Sequence, residues 1–221
     1  MEHRHTAREF DGELADLRDR LLLMGARVEK AAALAVEAVE SRSAALGRQV
    51  MAGSDQVEQL EIEIEEMGLR ILALRHPVAS DLRFVTTTLK IVTELARIGN
   101  LCVSMANLAT EIRAEPRLAL QTSLGKMGDD VRGMLRDALD AFVDRDAAKA
   151  SQIPERDRHI DAAYGALLTE LFRHMRADTE SVLRATRLQA MGKSIERIGD
   201  HATSIADMVY FMIEGRRIRR T

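Results

Sequence analysis

Apolar residues recur three and four positions apart along most of this chain, and that spacing restricts what it can fold into. The cleanest stretch is Leu188, Met191, Ile195, Ile198, Ala202, Ile205, Val209 and Met212. Steps of three and four hold side chains on one face of a 3.6-residue helix. The same beat runs through Phe10, Leu14, Leu17, Leu21, Met24, Val28, Ala31, Ala35 and Ala38, and then through Val50, Gly53, Val57, Leu60, Ile64, Met67, Ile71 and Leu74. A third stripe is Leu82, Val85, Leu89, Val92, Ala96, Gly99 and Val103. After Pro116 it restarts at Leu124, Met127, Val131, Met134, Ala138 and Ala141, followed by Ile153, Ile160, Ala163, Leu167 and Leu171. Six stripes predict six helices and an all-α fold. With 3% aromatic residues and no Trp, the composition suits Leu/Ala/Met-packed helices and disfavours a β-sandwich or barrel.

The breaks between stripes carry their own chemistry. Ser43 is placed to cap the second helix. Pro77 removes a backbone donor and sets a turn, after which Ser80 or Asp81 is the expected cap of the third helix. Asp144-Arg145-Asp146 and Ala177-Asp178-Thr179 mark later turns, and Pro154 predicts a kink or a late start in the fifth helix. Phe84, Ile91, Leu95 and Ile98 widen the apolar face of the third helix, which places it centrally.

Three helices followed by three helices suggest an internal repeat. At an offset of 103, Met24-Gly25 falls on Met127-Gly128, Val28 on Val131, Ala35 on Ala138, Arg42 on Arg145 and Val57 on Ile160. At an offset of 100, Arg97-Ile98-Gly99 falls on Arg197-Ile198-Gly199. The three-residue difference lies at Arg75-His76-Pro77, in a turn, where length changes are tolerated. The repeat predicts two similar three-helix bundles, 1–114 and 115–221. A mid-helix glycine costs about 1 kcal/mol relative to Ala, so Gly99 and Gly199 are expected where another helix approaches closely.

A formal net charge of -3 provides no overall basic field for nucleic acid. A single cysteine, Cys102, precludes an internal disulfide and fits a reducing compartment. Neither a signal peptide nor an apolar run of membrane-spanning length is visible. The basic run Arg216-Arg217-Ile218-Arg219-Arg220 reads as a solvated end, with anionic lipid or an acidic partner as its other readings.

Chemistry concentrates beside Gly199. Glu196 and Asp200 are i,i+4 and stack on one helix face, with Asp207 seven further on and Thr203 between. Stacked carboxylates need Arg or Lys partners, or a hard cation bound through oxygen. A solvated polar flank accounts for the same spacing. A cation site would need further acids from the fifth helix, where Asp157, Asp161 and Glu170 are the candidates. The matching positions in the first half are Ala96, Asn100 and Asn107, which carry no acid. His201 is expected at the surface, and His159 and His174 are too far apart to share a metal. No Walker loop, dinucleotide fingerprint or nucleophile elbow is present.

The bipartite layout, the Ala79-Ser80-Asp81-Leu82-Arg83 turn, Met24-Gly25, Asp140-Ala141-Phe142 and Ile195-Glu196-Arg197-Ile198-Gly199-Asp200 resemble the PhoU family over nearly the whole chain. The resemblance implies two similar three-helix bundles and a non-enzymatic, cytoplasmic negative regulator of the phosphate-starvation response. It implies contact with the ATPase of a phosphate ABC transporter and with a membrane sensor histidine kinase, so that the membrane is met only through partners. A homodimer is the expected assembly. Iron or zinc is implied on the family's acidic motif, which here maps to Glu196 and Asp200, with Asp207 beyond, in the second bundle only. The competing classes are a metal-dependent helical enzyme and a general helical adaptor unrelated to phosphate.

Overall fold

In the computed structural model, which describes residues 2–112 and 121–218, the chain forms six helices: α1 (Glu2–Ser41), α2 (Ala44–Arg75), α3 (Ala79–Glu111), α4 (Gln121–Asp144), α5 (Ala147–Ala177) and α6 (Val182–Glu214). A 3-10 turn, Thr179–Ser181, leads into α6. No strand occurs among the described residues. The expected boundary between residues 114 and 115, and Pro116, lie outside them.

Both bundles turn their first corner in the same way. Arg42 and Arg145 adopt left-handed backbone angles (φ 56° and 51°). The amide of Ser43 then donates to the Ala38 carbonyl at 3.1 Å, and that of Asp146 to the Ala141 carbonyl at 3.0 Å. This closes the ends of α1 and α4 by the bond pattern usually built around glycine. The next residue caps the following helix: Ser43 Oγ accepts from the Leu46 amide, and Asp146 Oδ1 from the Lys149 amide at 2.9 Å. The second corners differ. α3 starts from Val78 with no side-chain cap, while Ser80 and Asp81 sit in its first turn, contrary to the sequence expectation. His76 and Ala79, on either side of Pro77-Val78, have φ of 46°, so this turn sets the helix start itself. α5 begins at Ala147 and runs through Pro154, so there is no late start.

α3 and α6 are the central helices. Each packs against both other helices of its bundle, and the two pack antiparallel against each other. Leu95, Ile98, Ile195 and Ile198 are all within 1% of complete burial. α1 crosses α4 in the same antiparallel sense. A Cβ on Gly25 would lie 2.7 Å from Leu139 Cδ1, and one on Gly128 would run into Val36. Leu139 and Val36 are themselves mates at the 103 offset, as Gly25 and Gly128 are, so the crossing obeys the repeat on both sides. The buried side chains of both bundles form one continuous core.

Candidate functional site

α5 presents Asp157 and Asp161 to the face of α6 that carries Glu196 and Asp200. Gly199 allows this approach: a Cβ there would stand 2.9 Å from Asp157 Oδ1 and 3.5 Å from Val131 Cγ1. Gly99, its counterpart, would meet only Val57 Cγ1 at 3.5 Å. The glycine is thus more tightly used in the second bundle, where the acids are.

The four carboxylates repel one another, and two of them, Asp157 and Asp200, are raised in part by it. Burial pushes the Asp157 carboxyl up to about 6, helped by the charges of Asp200 and Asp161 and, more weakly, Glu196. The Thr203 hydroxyl faces Asp157 and opposes part of the rise, although neither Thr203 Oγ1 nor Asp157 Oδ1 has a hydrogen-bond partner of good geometry among the described residues. Asp200 is raised for the same reasons, with burial first and Glu196 next; Lys193 and His201 act against them. Glu196 is accommodated differently. Lys193 Nζ donates to its Oε1 at 2.7 Å and lies 2.6 Å from its Oε2, which raises the lysine. The same ammonium sits 5.6 Å from the centre of the Tyr164 ring, over its negative face. Lys193 is therefore the cationic partner of Glu196, while Asp157 and Asp200 stay raised. Its i,i+3 spacing from Glu196 was the signal in the sequence.

The remaining expected residues lie elsewhere. Asp207, about 10 Å further along the helix by its rise per residue, lines a separate cavity with Thr87, Lys90 and Ser204. Glu170 pairs with Arg173 at 2.6 Å and faces the groove between α4 and α5. His201 is not a surface histidine: its side chain is 14% exposed, and Nδ1 lies 2.6 Å from Glu94 Oε2 on α3. Glu94, 10% exposed, also accepts from Arg97 Nη1 at 2.7 Å. A polar link thus crosses between the bundles. Its mates at the 100 offset, Ser194 and Leu101, are unable to repeat it.

The first bundle has its own version of the acidic face. Ser54, Glu58, Glu61, Ala96 and Asn100 line a cavity of about 280 Å³ there. Ser54 and Glu58 correspond to Asp157 and Asp161 at the 103 offset. Glu61 is raised by burial and then by Glu65 and Glu58. The acids lining this cavity come from α2 alone, and the short side chain of Ala96 leaves the space.

Among the described residues, no three His, Cys, Asp or Glu side chains converge as a set able to hold a metal ion. Lys193 already engages Glu196 and Asp207 lines another cavity, and no step below depends on a metal.

Comparison with known proteins places this arrangement. The PhoU domain matches the chain twice, at residues 21–109 and 124–209. A phosphate-specific transport system accessory protein PhoU homolog from Caulobacter vibrioides is 35% identical over 97% of this chain and 94% of its own length. The phosphate-specific transport system accessory protein PhoU of Escherichia coli is 31% identical over 98% of this chain and 90% of its own. The crystal structure of PhoU from Pseudomonas aeruginosa superimposes with a TM-score of 0.90, at 37% identity, over 94% of this chain and all of the other. Two bundles related by a repeat, each matched once by the domain, with relatives aligned over nearly the whole chain, make this chain a member of the PhoU family.

Proposed function

We propose that this protein is a non-enzymatic accessory regulator of phosphate uptake that keeps the phosphate-starvation response off when phosphate is plentiful. Its partners in this reading are the ATPase subunit of a phosphate ABC transporter and a membrane sensor histidine kinase. It acts from the cytoplasm as a homodimer, by docking rather than by chemistry. The observation that carries the reading is the correspondence of both bundles, over nearly the whole chain, to proteins named as accessory to phosphate-specific transport. The physical design supports it. The six helices share one core, which makes a rigid body with two related faces. Lys193, the cation beside the acidic face, is already engaged by Glu196 rather than directed at a substrate.

Deletion of the gene tests this. Phosphate-starvation genes are expected to stay on in high phosphate. Normal repression in the deletion strain, with no second copy of the gene, would overturn the proposal. Co-purification separates it from a general adaptor: the transporter ATPase or the histidine kinase is expected with the tagged protein, and recovery of neither points to the adaptor. Metal analysis of the purified protein bears on iron or zinc at Glu196, Asp200 and Asp207. Stoichiometric metal abolished by Glu196→Gln with Asp200→Asn would bear out that expectation, and its absence would remove it.

A further inference from the structure

The α3–α6 seam is closed at one end and open at the other. At the closed end Arg187 Nε of α6 reaches Glu111 Oε2 of α3 at 3.2 Å. The mates of these residues at the 100 offset are Thr87 and Phe211, which carry no charge and cannot repeat the bridge. In its place the seam holds a cavity of about 510 Å³. α3 lines it with Thr87 and Lys90, and α6 with Ser204, Asp207, Met208 and Phe211. Spacings of three and four put each set on one helix face. Gly215 completes the wall. Its left-handed backbone (φ 70°) ends α6, its amide donates to the Phe211 carbonyl at 2.9 Å, and the chain beyond brings Arg217 and Ile218 to the cavity.

The donors in this cavity are uncommitted. Thr87 is only 3% exposed, yet its hydroxyl makes no hydrogen bond among the described residues. Its neighbour Thr86 donates to the Leu82 carbonyl at 2.7 Å, the usual recourse of a helical hydroxyl. Ser204 likewise makes no bond, whereas its mate Ser104 donates to the Asn100 carbonyl at 3.0 Å. Buried hydroxyls are ordinarily satisfied, so a cavity lined by unsatisfied ones points to a ligand. Lys90 and Arg217 form no ion pair among the described residues. Glu94, one turn along α3 from Lys90, is taken by Arg97 at 2.7 Å and His201 at 2.6 Å. Lys90 itself stands where the other half has Ala190. Two cations and two hydroxyls thus face one cavity, with Asp207 as the one acid among its lining residues. That donor set matches a single phosphate. The Asp207 carboxylate limits the negative charge the cavity accepts, which disfavours a di- or triphosphate. The rest of the wall is apolar: Met208, Ile218 and the Phe211 ring, which is 36% exposed.

We propose that this cavity binds a nucleoside monophosphate. Lys90, Arg217 and the Thr87 and Ser204 hydroxyls donate to the phosphate. Asp207 accepts from a ribose hydroxyl. The base lies on Phe211, with Met208 and Ile218 beside it. A partly exposed aromatic ring takes a nucleobase of any identity, because every base has a π-face. The cavity falls within the usual range of small-molecule sites, about 300–1,000 Å³, and is larger than a lone oxyanion fills. Inorganic phosphate shares the charge chemistry but leaves the apolar wall and Asp207 unused. This site stands apart from the phosphate-signalling reading and does not depend on it.

Isothermal titration of the full-length protein tests the proposal. AMP is expected to bind at least about tenfold more tightly than either adenosine or inorganic phosphate, each of which keeps only part of the contacts. Lys90→Gln and Arg217→Gln are each expected to weaken AMP about tenfold, the loss of one charge-assisted contact. Both positions are exposed, so the fold is not at stake. Phe211→Ala is expected to weaken AMP and leave inorganic phosphate unchanged. Lys126→Gln, an exposed cation in the groove between α4 and α5, is expected to change nothing. Thr87→Arg with Phe211→Glu copies the closed end's ion pair into the cavity, and is expected to abolish AMP binding without lowering the melting temperature. No binding of AMP at millimolar concentration would overturn the proposal. So would full affinity in Lys90→Gln with Arg217→Gln, or an equal loss in Lys126→Gln. Inorganic phosphate binding as tightly as AMP would also overturn it and assign the cavity to that ion.

Discussion

A side chain at position 199 has nowhere to go. Its Cβ would press on Asp157 Oδ1 at 2.9 Å, and the atoms beyond would meet Ile160, also on α5, and Val131 on α4. Gly53 has nothing within 4 Å of the same added atom. Gly199→Leu is therefore expected to destabilise by about 1–3 kcal/mol, the usual range for overpacking, and Gly53→Leu by much less. Equal melting temperatures for the two variants would show that α5 does not approach α6 at this point. Asp157 supplies a second test. Its carboxyl is held at about 6 in the folded state, above the ordinary 3.8, so between these values the unfolded chain binds fewer protons than the folded one. Stability then falls as pH rises from about 4 through about 6, and the loss persists above. Asp157→Asn is expected to stabilise the protein by on the order of 1 kcal/mol at pH 7.5, after discounting for partial exposure and screening. The gain should vanish near pH 4. A gain of the same size at both pH values would mean that repulsion among the acids is not its source.

At the scale of elements, local signals were legible in the sequence and contacts between helices were not. Ser43 caps α2 as its position suggested, because an N-cap acts on amides two or three residues away. Ser80 and Asp81 failed as caps because the turn around Pro77 starts α3 at Ala79, with Val78 in the N-cap position. The acids of α6 were plain from i,i+4 spacing, but which acids of α5 faced them depended on helix register. Asp157 and Asp161 do, and Glu170 does not. The histidine at 201 looked like a surface residue because its partner lies more than a hundred positions away. That contact can be measured. His201→Ala leaves Glu94 buried with Arg97 as its remaining ion-pair partner in the pair described above, at an expected cost of about 2 kcal/mol. A double-mutant cycle with Glu94→Gln is expected to give a coupling above about 0.5 kcal/mol, the threshold between neighbours and independent sites. Additive effects would remove this link from what holds α3 to α6.

For the whole molecule, the repeat that made the sequence readable also suggests two separable halves, and the packing argues against that. The buried residues of the two bundles form one cluster. The Phe84 ring of α3 stacks on Phe142 of α4, with centroids 5.7 Å apart, so an aromatic contact also crosses between bundles. α1 meets α4 through Gly25 against Leu139 and Gly128 against Val36, approaches too close to admit even a Cβ without a shift. Arg136 of α4 donates its Nε to Glu29 of α1 at 2.8 Å. Neither bundle alone would cover these surfaces, since α1 and α3 lend one face each to the other half. The chain is therefore expected to unfold in one cooperative step, with the van't Hoff enthalpy close to the calorimetric one. Gly128→Leu, which strikes the seam rather than either bundle's interior, should lower the midpoint of that single step by several degrees, at about 2–4 °C per kcal/mol for a chain of this size, without splitting it. A calorimetric trace that resolves into two transitions, or a Gly128→Leu variant in which one half melts ahead of the other, would mean that the bundles are joined by the chain and not by a common core.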